Sequence, residues 1–394
     1  MKKLLNNFIY CKGNYLINSL TRKKILISSK TSLYKKNFFL KGQERECIEN
    51  VLFKTPTIIH LIIIPTWKCG LSCNFCYVKN NILSVNEKEL CKINSKNITK
   101  FLYNYLIENP LIKNIYITFL GGEALLKPKV CLNILKDIDN FCKNRKIKLI
   151  SSISTSLYVN LNQDIINLIK MLNHIAVSID GNQKTHDLYR IPTINFGKSP
   201  FQVTIKNLQQ IIKFGYNKNK ISIRGCLDST DIKNKSVVSD YYFILNHVLK
   251  IPFKNISLGI KFPYLLPLNN KEKQYYNKNI LKNYYRTNPC CSYRYNKSFI
   301  INPNGDIYTN YYDIVENSKI GNIKSNIKEI LYNYKQYIIK NMPILQDNKC
   351  IKCKYLAICW GGCSRENIIH KNEPSKYCDK NVKRKQMKKY IESL

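Results

Sequence analysis

Pro65-Thr66-Trp67-Lys68-Cys69-Gly70-Leu71-Ser72-Cys73-Asn74-Phe75-Cys76-Tyr77 follows directly on the β-branched run Ile58 to Ile64. A strand that feeds a loop with Cys-x3-Cys-x2-Cys spacing sets three thiols on one compact turn, where each thiolate can ligate a different iron of a [4Fe-4S] cube. The fourth iron then lacks a protein ligand. Such an open coordination position is what a small molecule needs to bind and receive an electron. A zinc knuckle or three packed thiols are the alternative readings of the same spacing.

From Thr57 to Phe262, short β-branched runs alternate with longer stretches of helical period, the pattern of repeated βα units around a parallel sheet. The strands expected are Ile58 to Ile64, Asn114 to Leu120, Ile147 to Ser154, His174 to Ile179, Lys220 to Cys226 and Asn255 to Lys261. Helices are expected near Glu87 to Glu108, Lys129 to Lys143, Gln163 to Leu172, Phe201 to Phe214 and Ser236 to Leu249. Right-handed crossovers then curve the sheet into an α/β fold, a partial (β/α)6 barrel whose strand C-termini form an open mouth.

Further motifs follow predicted strands. Gly121-Gly122-Glu123 comes after the second; paired glycines let backbone carbonyls approach a ligand, and a carboxylate accepts from an ammonium group. Thr155 ends the third. Val177-Ser178-Ile179-Asp180-Gly181 and His186-Asp187-Leu188-Tyr189-Arg190 follow the fourth, bringing a hydroxyl and a guanidinium to the mouth, a pair suited to a carboxylate. Asp180 is read as fixing its turn through backbone hydrogen bonds, and His186 as a solvated loop histidine.

In this combination the chain resembles the radical S-adenosylmethionine superfamily, whose defining motif is Cys-x3-Cys-x2-Cys on the loop after the first barrel strand. The resemblance implies a [4Fe-4S] cluster on Cys69, Cys73 and Cys76. It implies S-adenosylmethionine held by Gly121, Gly122 and Glu123 at its amino group and by Ser178 and Arg190 at its carboxylate, with Thr155 and Tyr77 beside it. Phe75 and Tyr77 stand where the family often has aromatic residues, whereas Gly70 replaces its usual Asn. The activity implied is reductive cleavage of S-adenosylmethionine to methionine and a 5'-deoxyadenosyl radical, which takes a hydrogen from the substrate.

A second array runs Cys350-x2-Cys353, then Cys359, Cys363 and Cys378, preceded by Cys290, Cys291 and Gly305. It resembles the SPASM extension of radical enzymes that modify peptides and proteins. By that resemblance Cys350, Cys353, Cys359 and Cys378 hold one auxiliary cluster, and Cys363 with Cys290 or Cys291 or both holds another. Four thiolates suit zinc equally well. The pattern breaks five positions after Gly305, where Asn310 replaces the family's Cys. In the sulfatase-maturating branch an Asp, thought to act as base, follows that Cys; Tyr311 stands here, with Asp313 two residues on as a substitute candidate. Maturation of a ribosomally made peptide therefore ranks first on sequence, and sulfatase maturation to formylglycine second.

At 394 residues the chain exceeds one compact domain. The expected division is an N-terminal cap or peptide-recognition region over 1–56, with weak signals at Asn14 to Leu20, Ile25 to Ser28 and a helical Glu44 to Phe53, a barrel over 57–285 and a Cys-rich domain over 286–394. The formal charge of +39 is scattered over nearly every segment and has no nucleic-acid-binding motif beside it, so it suits an acidic polypeptide better than specific nucleic-acid recognition. The partners expected are a peptide or protein substrate and an electron donor such as flavodoxin or ferredoxin. No stretch is long and apolar enough to span a membrane, the N-terminus lacks a signal-peptide core, and clustered cysteines point to metal in a reducing compartment, so a cytoplasmic location is expected. The dispersed Cys11, Cys47, Cys91, Cys131, Cys142 and Cys226 are read mostly as packed thiols. Two other readings stay open: a non-catalytic metal-binding scaffold and a tRNA-modifying radical enzyme.

Overall fold

The computed structural model describes residues 9–12, 15–18, 24–26, 49, 53, 55–76, 78–79, 93–194, 196–197, 199–227, 231, 234–260, 297–315 and 317–341. The chain divides into two units, one of Met1–Thr55, Asn283–Asn296 and Leu331–Leu394, the other of Pro56–Lys282 and Lys297–Ile330. In the first, strands β1 (Ile9–Lys12), β2 (Tyr15–Asn18) and β3 (Lys24–Leu26) form an antiparallel sheet in that order. The sequence Gly13-Asn14 between β1 and β2 is a two-residue hairpin signal. Of the helix expected over Glu44 to Phe53, only Glu49 and Phe53 lie among the described residues.

The second unit is the barrel. Its chain order is β4 (Ile58–Ile63), α1 (Ser95–Glu108), β5 (Asn114–Phe119), α2 (Pro128–Asn144), β6 (Lys148–Thr155), α3 (Gln163–Met171), β7 (His174–Ser178), α4 (Gln183–Tyr189), α5 (Pro200–Lys213) and β8 (Ile221–Leu227). Then come α6 (Lys235–Tyr242), which runs into a π-helical turn at Phe243–Val248, and β9 (Ile256–Ile260). All six expected strands are present, and the parallel sheet follows β4-β5-β6-β7-β8-β9. The period-2 burial explains why these runs became strands: Ile59, Leu61, Ile63, Ile115, Ile117 and Phe119 are fully buried, each worth roughly 2 kcal/mol of transfer free energy. The opposite face is polar where β4, β5 and β6 adjoin, with His60 Nε2 2.8 Å from Thr118 Oγ1 and Thr118 Oγ1 2.9 Å from Ser152 Oγ.

Asparagine, abundant throughout the chain, starts the helices. Asn94, Asn162, Asn182 and Asn234 each accept from a backbone N–H in the first turn of α1, α3, α4 and α6, and Ser199 does so ahead of Pro200 in α5.

The sheet extends further than the sequence indicated. Strand β10 (Lys297–Ile301) pairs parallel to β4, and β11 (Asp306–Tyr308) and β12 (Gly321–Asn322) continue antiparallel, with the short helix α7 (Tyr311–Val315) between them. The nine-stranded sheet runs β12-β11-β10-β4-β5-β6-β7-β8-β9 and does not close, so the barrel is partial. Residues 297–330 accordingly group with the barrel strands in one unit. Phe299, fully buried, explains this placement: its ring packs edge-on against Phe101 and Tyr105 of α1 at centroid distances of 5.9 and 5.6 Å. Helix α8 (Ile327–Asn341) follows, its first turn within the barrel unit. Among the described residues no helix is long and apolar enough to cross a membrane.

Candidate active site

The Cys69–Cys76 loop leaves β4 and is laced on both sides. On one side, the N–H groups of Gly122 and Glu123 donate to Thr66 O and Lys68 O at 3.1 and 2.8 Å. On the other, Ser72 N–H donates to Ile191 O at 2.7 Å, Asn74 N–H to Tyr189 O at 3.2 Å, and Thr193 N–H to Gly70 O at 2.9 Å. The glycines are required: a Cβ on Gly122 would stand 2.2 Å from Trp67 O and 2.4 Å from Lys68 O, and Gly121 has φ +138°. Gly-Gly-Glu thus serves first as the seat of the cysteine loop.

Cys69, Cys73 and Cys76 are free thiols that pack in one cluster with Leu71, Tyr158 and Val203. Leu71 N–H donates to Cys69 Sγ and Lys79 N–H to Cys76 Sγ, both at 3.4 Å, and Arg190 Nη1 reaches Cys73 Sγ at 4.0 Å. Donors aimed at sulfur stabilise thiolates and ligated clusters. Burial first, then the Glu123 carboxylate and the neighbouring cysteines, push the Cys69 thiol up to about 12. Among the described residues no three His, Cys, Asp or Glu side chains converge on a single metal ion. Thiolates that hold separate corners of an iron-sulfur cube need no such convergence.

Glu123 is 1 % exposed, and its carboxylate is taken up by the chain itself. Oε1 accepts from Thr155 Oγ1 at 2.8 Å and from Leu125 N–H at 3.2 Å, and Oε2 accepts from Ser156 N–H at 2.9 Å and Ser156 Oγ at 2.7 Å. The structure therefore brings Glu123 and Thr155 together as expected, but in contact with each other. Ser156 was missed; its signal was the hydroxyl run Ser154-Thr155-Ser156 at a strand end. Beyond it Leu157 holds φ +55°, and Asn207 Nδ2 pins the turn by donating to Leu157 O and Val159 O at 2.8 and 2.7 Å.

Across the mouth, Ser178 ends β7 half-buried. Arg190 follows α4; its Nε donates to Asp180 Oδ2 at 2.7 Å, its guanidinium lies 5.4 Å from the centre of the Phe75 ring, and burial opposes its charge while Asp180, Cys73 and Cys226 together raise its affinity for the proton above the ordinary value. Asp180 is fully buried and also accepts from Cys226 N–H at 2.7 Å. The ion pair extends the turn-fixing role read from sequence. His186 requires correction: it is fully buried, not solvated, because its Nδ1 accepts from Asp180 N–H at 3.1 Å and its ring packs edge-on against Phe201.

Tyr311, at the position of the sulfatase branch's Asp, and Asp313, its substitute candidate, lie on α7. Asp313 carries the helix start: its Oδ2 accepts from Asn310 N–H at 3.1 Å and from Thr309 Oγ1, and Asn310 Oδ1 accepts from Asp313 N–H at 3.2 Å. That is a reciprocal capping box. Tyr311 packs on the apolar cluster of Ile64, Trp67, Tyr308 and Ile314, beside Cys76, and burial pushes its phenol up. Cys131 and Cys142 are buried in α2, as read, whereas Cys226 is half-buried at the strand ends. Tyr77, Cys290, Cys291, Cys350, Cys353, Cys359, Cys363 and Cys378 lie outside the described residues.

An open parallel α/β barrel with a three-thiol loop clamped at its strand ends is the arrangement that the resemblance to radical S-adenosylmethionine enzymes implied. The family described as "4Fe-4S single cluster domain" matches residues 63–204, a span that includes the loop, Gly-Gly-Glu and Arg190. The chain is similar to the cysteine-type anaerobic sulfatase-maturating enzyme of Clostridium novyi, 24% identical over 339 residues that cover 75% of this chain and 85% of that one. It is also similar to the serine-type anaerobic sulfatase-maturating enzyme of Bacteroides thetaiotaomicron, 26% identical over 162 residues, 39% of this chain and 36% of that one. The solved structure of native anSMEcpe with bound AdoMet and Cp18Cys peptide shares the fold at a TM-score of 0.56 and 17% identity, over 78% of this chain and 89% of that one.

Proposed function

We propose that the chain binds a [4Fe-4S] cluster on Cys69, Cys73 and Cys76, binds S-adenosylmethionine beside it, and modifies a side chain of a peptide or protein. The observation that carries the reading is the three-thiol loop held between Gly121–Glu123 and the Tyr189–Ile194 segment, with N–H donors on all three sulfurs. Cys69, Cys73 and Cys76 would hold the cluster, which would supply the single electron for reductive cleavage of S-adenosylmethionine. The chain's own part is positional. Gly121 and Gly122 bring backbone carbonyls to the amino group, Glu123 and Thr155 hold that wall rigid, and Ser178 with the outer edge of the Arg190 fork meets the carboxylate. Phe75 and Tyr158, packed with the three cysteines, keep water from the sulfurs.

The relatives favour oxidation of a Cys or Ser to formylglycine in a sulfatase, and bring that reading level with maturation of a ribosomal peptide. One observation favours the peptide: where the sulfatase branch resembled above keeps a Cys followed by an Asp base, this chain has Asn310 and Tyr311, and Asp313 is committed to the capping box. Auxiliary clusters on Cys350, Cys353, Cys359 and Cys378, and on Cys363 with Cys290 or Cys291, belong to either reading. So do a flavodoxin or ferredoxin donor and a cytoplasmic location.

The test begins with iron and zinc content after anaerobic reconstitution, wild type beside the Cys69→Ala/Cys73→Ala/Cys76→Ala variant, together with 5'-deoxyadenosine formation under reduction. About four irons lost with all deoxyadenosine supports the proposal; zinc without deoxyadenosine replaces it with a metal-binding scaffold. A Cys peptide that turns into a hydrazine-reactive aldehyde then selects sulfatase maturation, and any other mass change selects peptide maturation.

A further inference from the structure

The three sulfurs receive their N–H donors from different kinds of group. For Cys69 and Cys76 the donors are backbone N–H groups two and three residues along the same loop. For Cys73 the donor is a charged side chain from 117 residues away, Arg190. That guanidinium is almost buried, and its orientation is set by Asp180, itself fully out of solvent. Asp180 is in turn fixed from two sides, through its Oδ1 by Cys226 N–H on β8 and through its own N–H by His186 Nδ1 on α4. A buried charge pair is costly to assemble and adds little net stability, so its retention is better explained by what it does for a neighbour.

We infer that Asp180 is a positioning residue that holds Arg190 against Cys73 Sγ, so that a positive charge and an N–H donor raise the reduction potential of the cluster on Cys69, Cys73 and Cys76. The inference rests on that cluster being present, as proposed above. Hydrogen bonds to ligating sulfurs and local net charge are the levers by which a protein sets such potentials, and both lie in one side chain here. The gain is an electron that enters the site more readily from a weak donor. Arg190 thereby has a task before any S-adenosylmethionine arrives, distinct from binding its carboxylate.

The experiment is a dithionite titration, followed by electron paramagnetic resonance, of the anaerobically reconstituted full chain without S-adenosylmethionine. Wild type is compared with Arg190→Gln, Arg190→Lys, Asp180→Asn and the exposed control Arg145→Gln, iron being counted in each. The expected result is a midpoint shifted to more negative potential in Arg190→Gln and a smaller shift in Arg190→Lys. Asp180→Asn is expected to lose the Arg190 part of the exchangeable-deuteron coupling that wild type shows in D2O, the part from the backbone donors to Cys69 and Cys76 remaining, and Arg145→Gln to match wild type. An Arg190→Gln or Arg190→Lys protein that keeps its iron and its midpoint overturns the inference while leaving the proposed function standing. A wild-type chain that takes up no [4Fe-4S] cluster overturns the function itself.

Discussion

Glu123 shows how a residue can be found by sequence while its partners within the chain are not. The motif marks it because it follows a strand and two glycines, and the structure keeps it at the loop, but its two oxygens face four donors from Thr155, Ser156 and Leu125. An acceptor-only group is required there. Glu123→Gln places an NH2 against N–H and O–H donors, and each group so stranded costs about 1–3 kcal/mol. Urea denaturation is expected to show a loss in that range, and a double-mutant cycle with Thr155→Val to show non-additivity. His186 was illegible for the opposite reason. Burial of this histidine on α4 depends on β7, α4 and α5 coming together, which no local pattern encodes. The histidines on the sheet give a pH signature. Burial lowers His60 below its ordinary 6.5, and burial with Arg224 nearby lowers His174. The folded chain therefore binds fewer protons than the unfolded one just below 6.5, so this stabilisation is complete above that value and lost as pH falls toward the folded-state values. The apparent Tm should drop between about pH 7.5 and 5.5, and drop less in His60→Asn.

Among the elements, the strands were legible because β-branched runs with period-2 burial leave little choice, and the helices because Asn caps and apolar stripes agree. Strands β10 to β12 escaped. The run Lys297-Ser298-Phe299-Ile300-Ile301 is strand-like, but it lies among closely spaced Cys, Tyr and Asn, and its parallel partner β4 is more than 230 residues earlier. Pairing at that separation leaves no short-range mark. The same sheet explains why α7 sits beside the cysteine loop, with Tyr311 packed near Cys76. At the loop, Gly122 is the most constrained position, since any Cβ would meet two carbonyl oxygens at 2.2 and 2.4 Å. Gly122→Ala must move the loop or strain it, at a cost of roughly 1–3 kcal/mol. Iron uptake is expected to fall by more than half while the far-ultraviolet circular dichroism keeps its wild-type form. Full iron uptake in Gly122→Ala would show that the loop can shift without harm to its ligands.

For the molecule as a whole, charge is the property that the sequence states openly and the site does not use. A formal +39 spread over every segment creates an attractive field for anions that reaches about a Debye length, about 10 Å at 0.1 M salt and 3 Å at 1 M. Such a field changes encounter and capture, but it cannot raise the rate of hydrogen abstraction once the substrate is seated. Under the proposed function, a peptide flanked by Asp and Glu should therefore show a KM that rises severalfold from 50 to 300 mM NaCl, with kcat unchanged. The same core peptide flanked by Ser and Gly should show a flat KM over that range. A KM equally insensitive to salt for both peptides would mean that the basic surface is a compositional drift with no part in substrate capture. A fall in kcat with salt would instead trace the effect to the electron-donating step, where under the proposed function an acidic flavodoxin or ferredoxin would meet the same positive field. Repeating the series with dithionite as the reductant separates the two, since a small chemical reductant needs no docking surface.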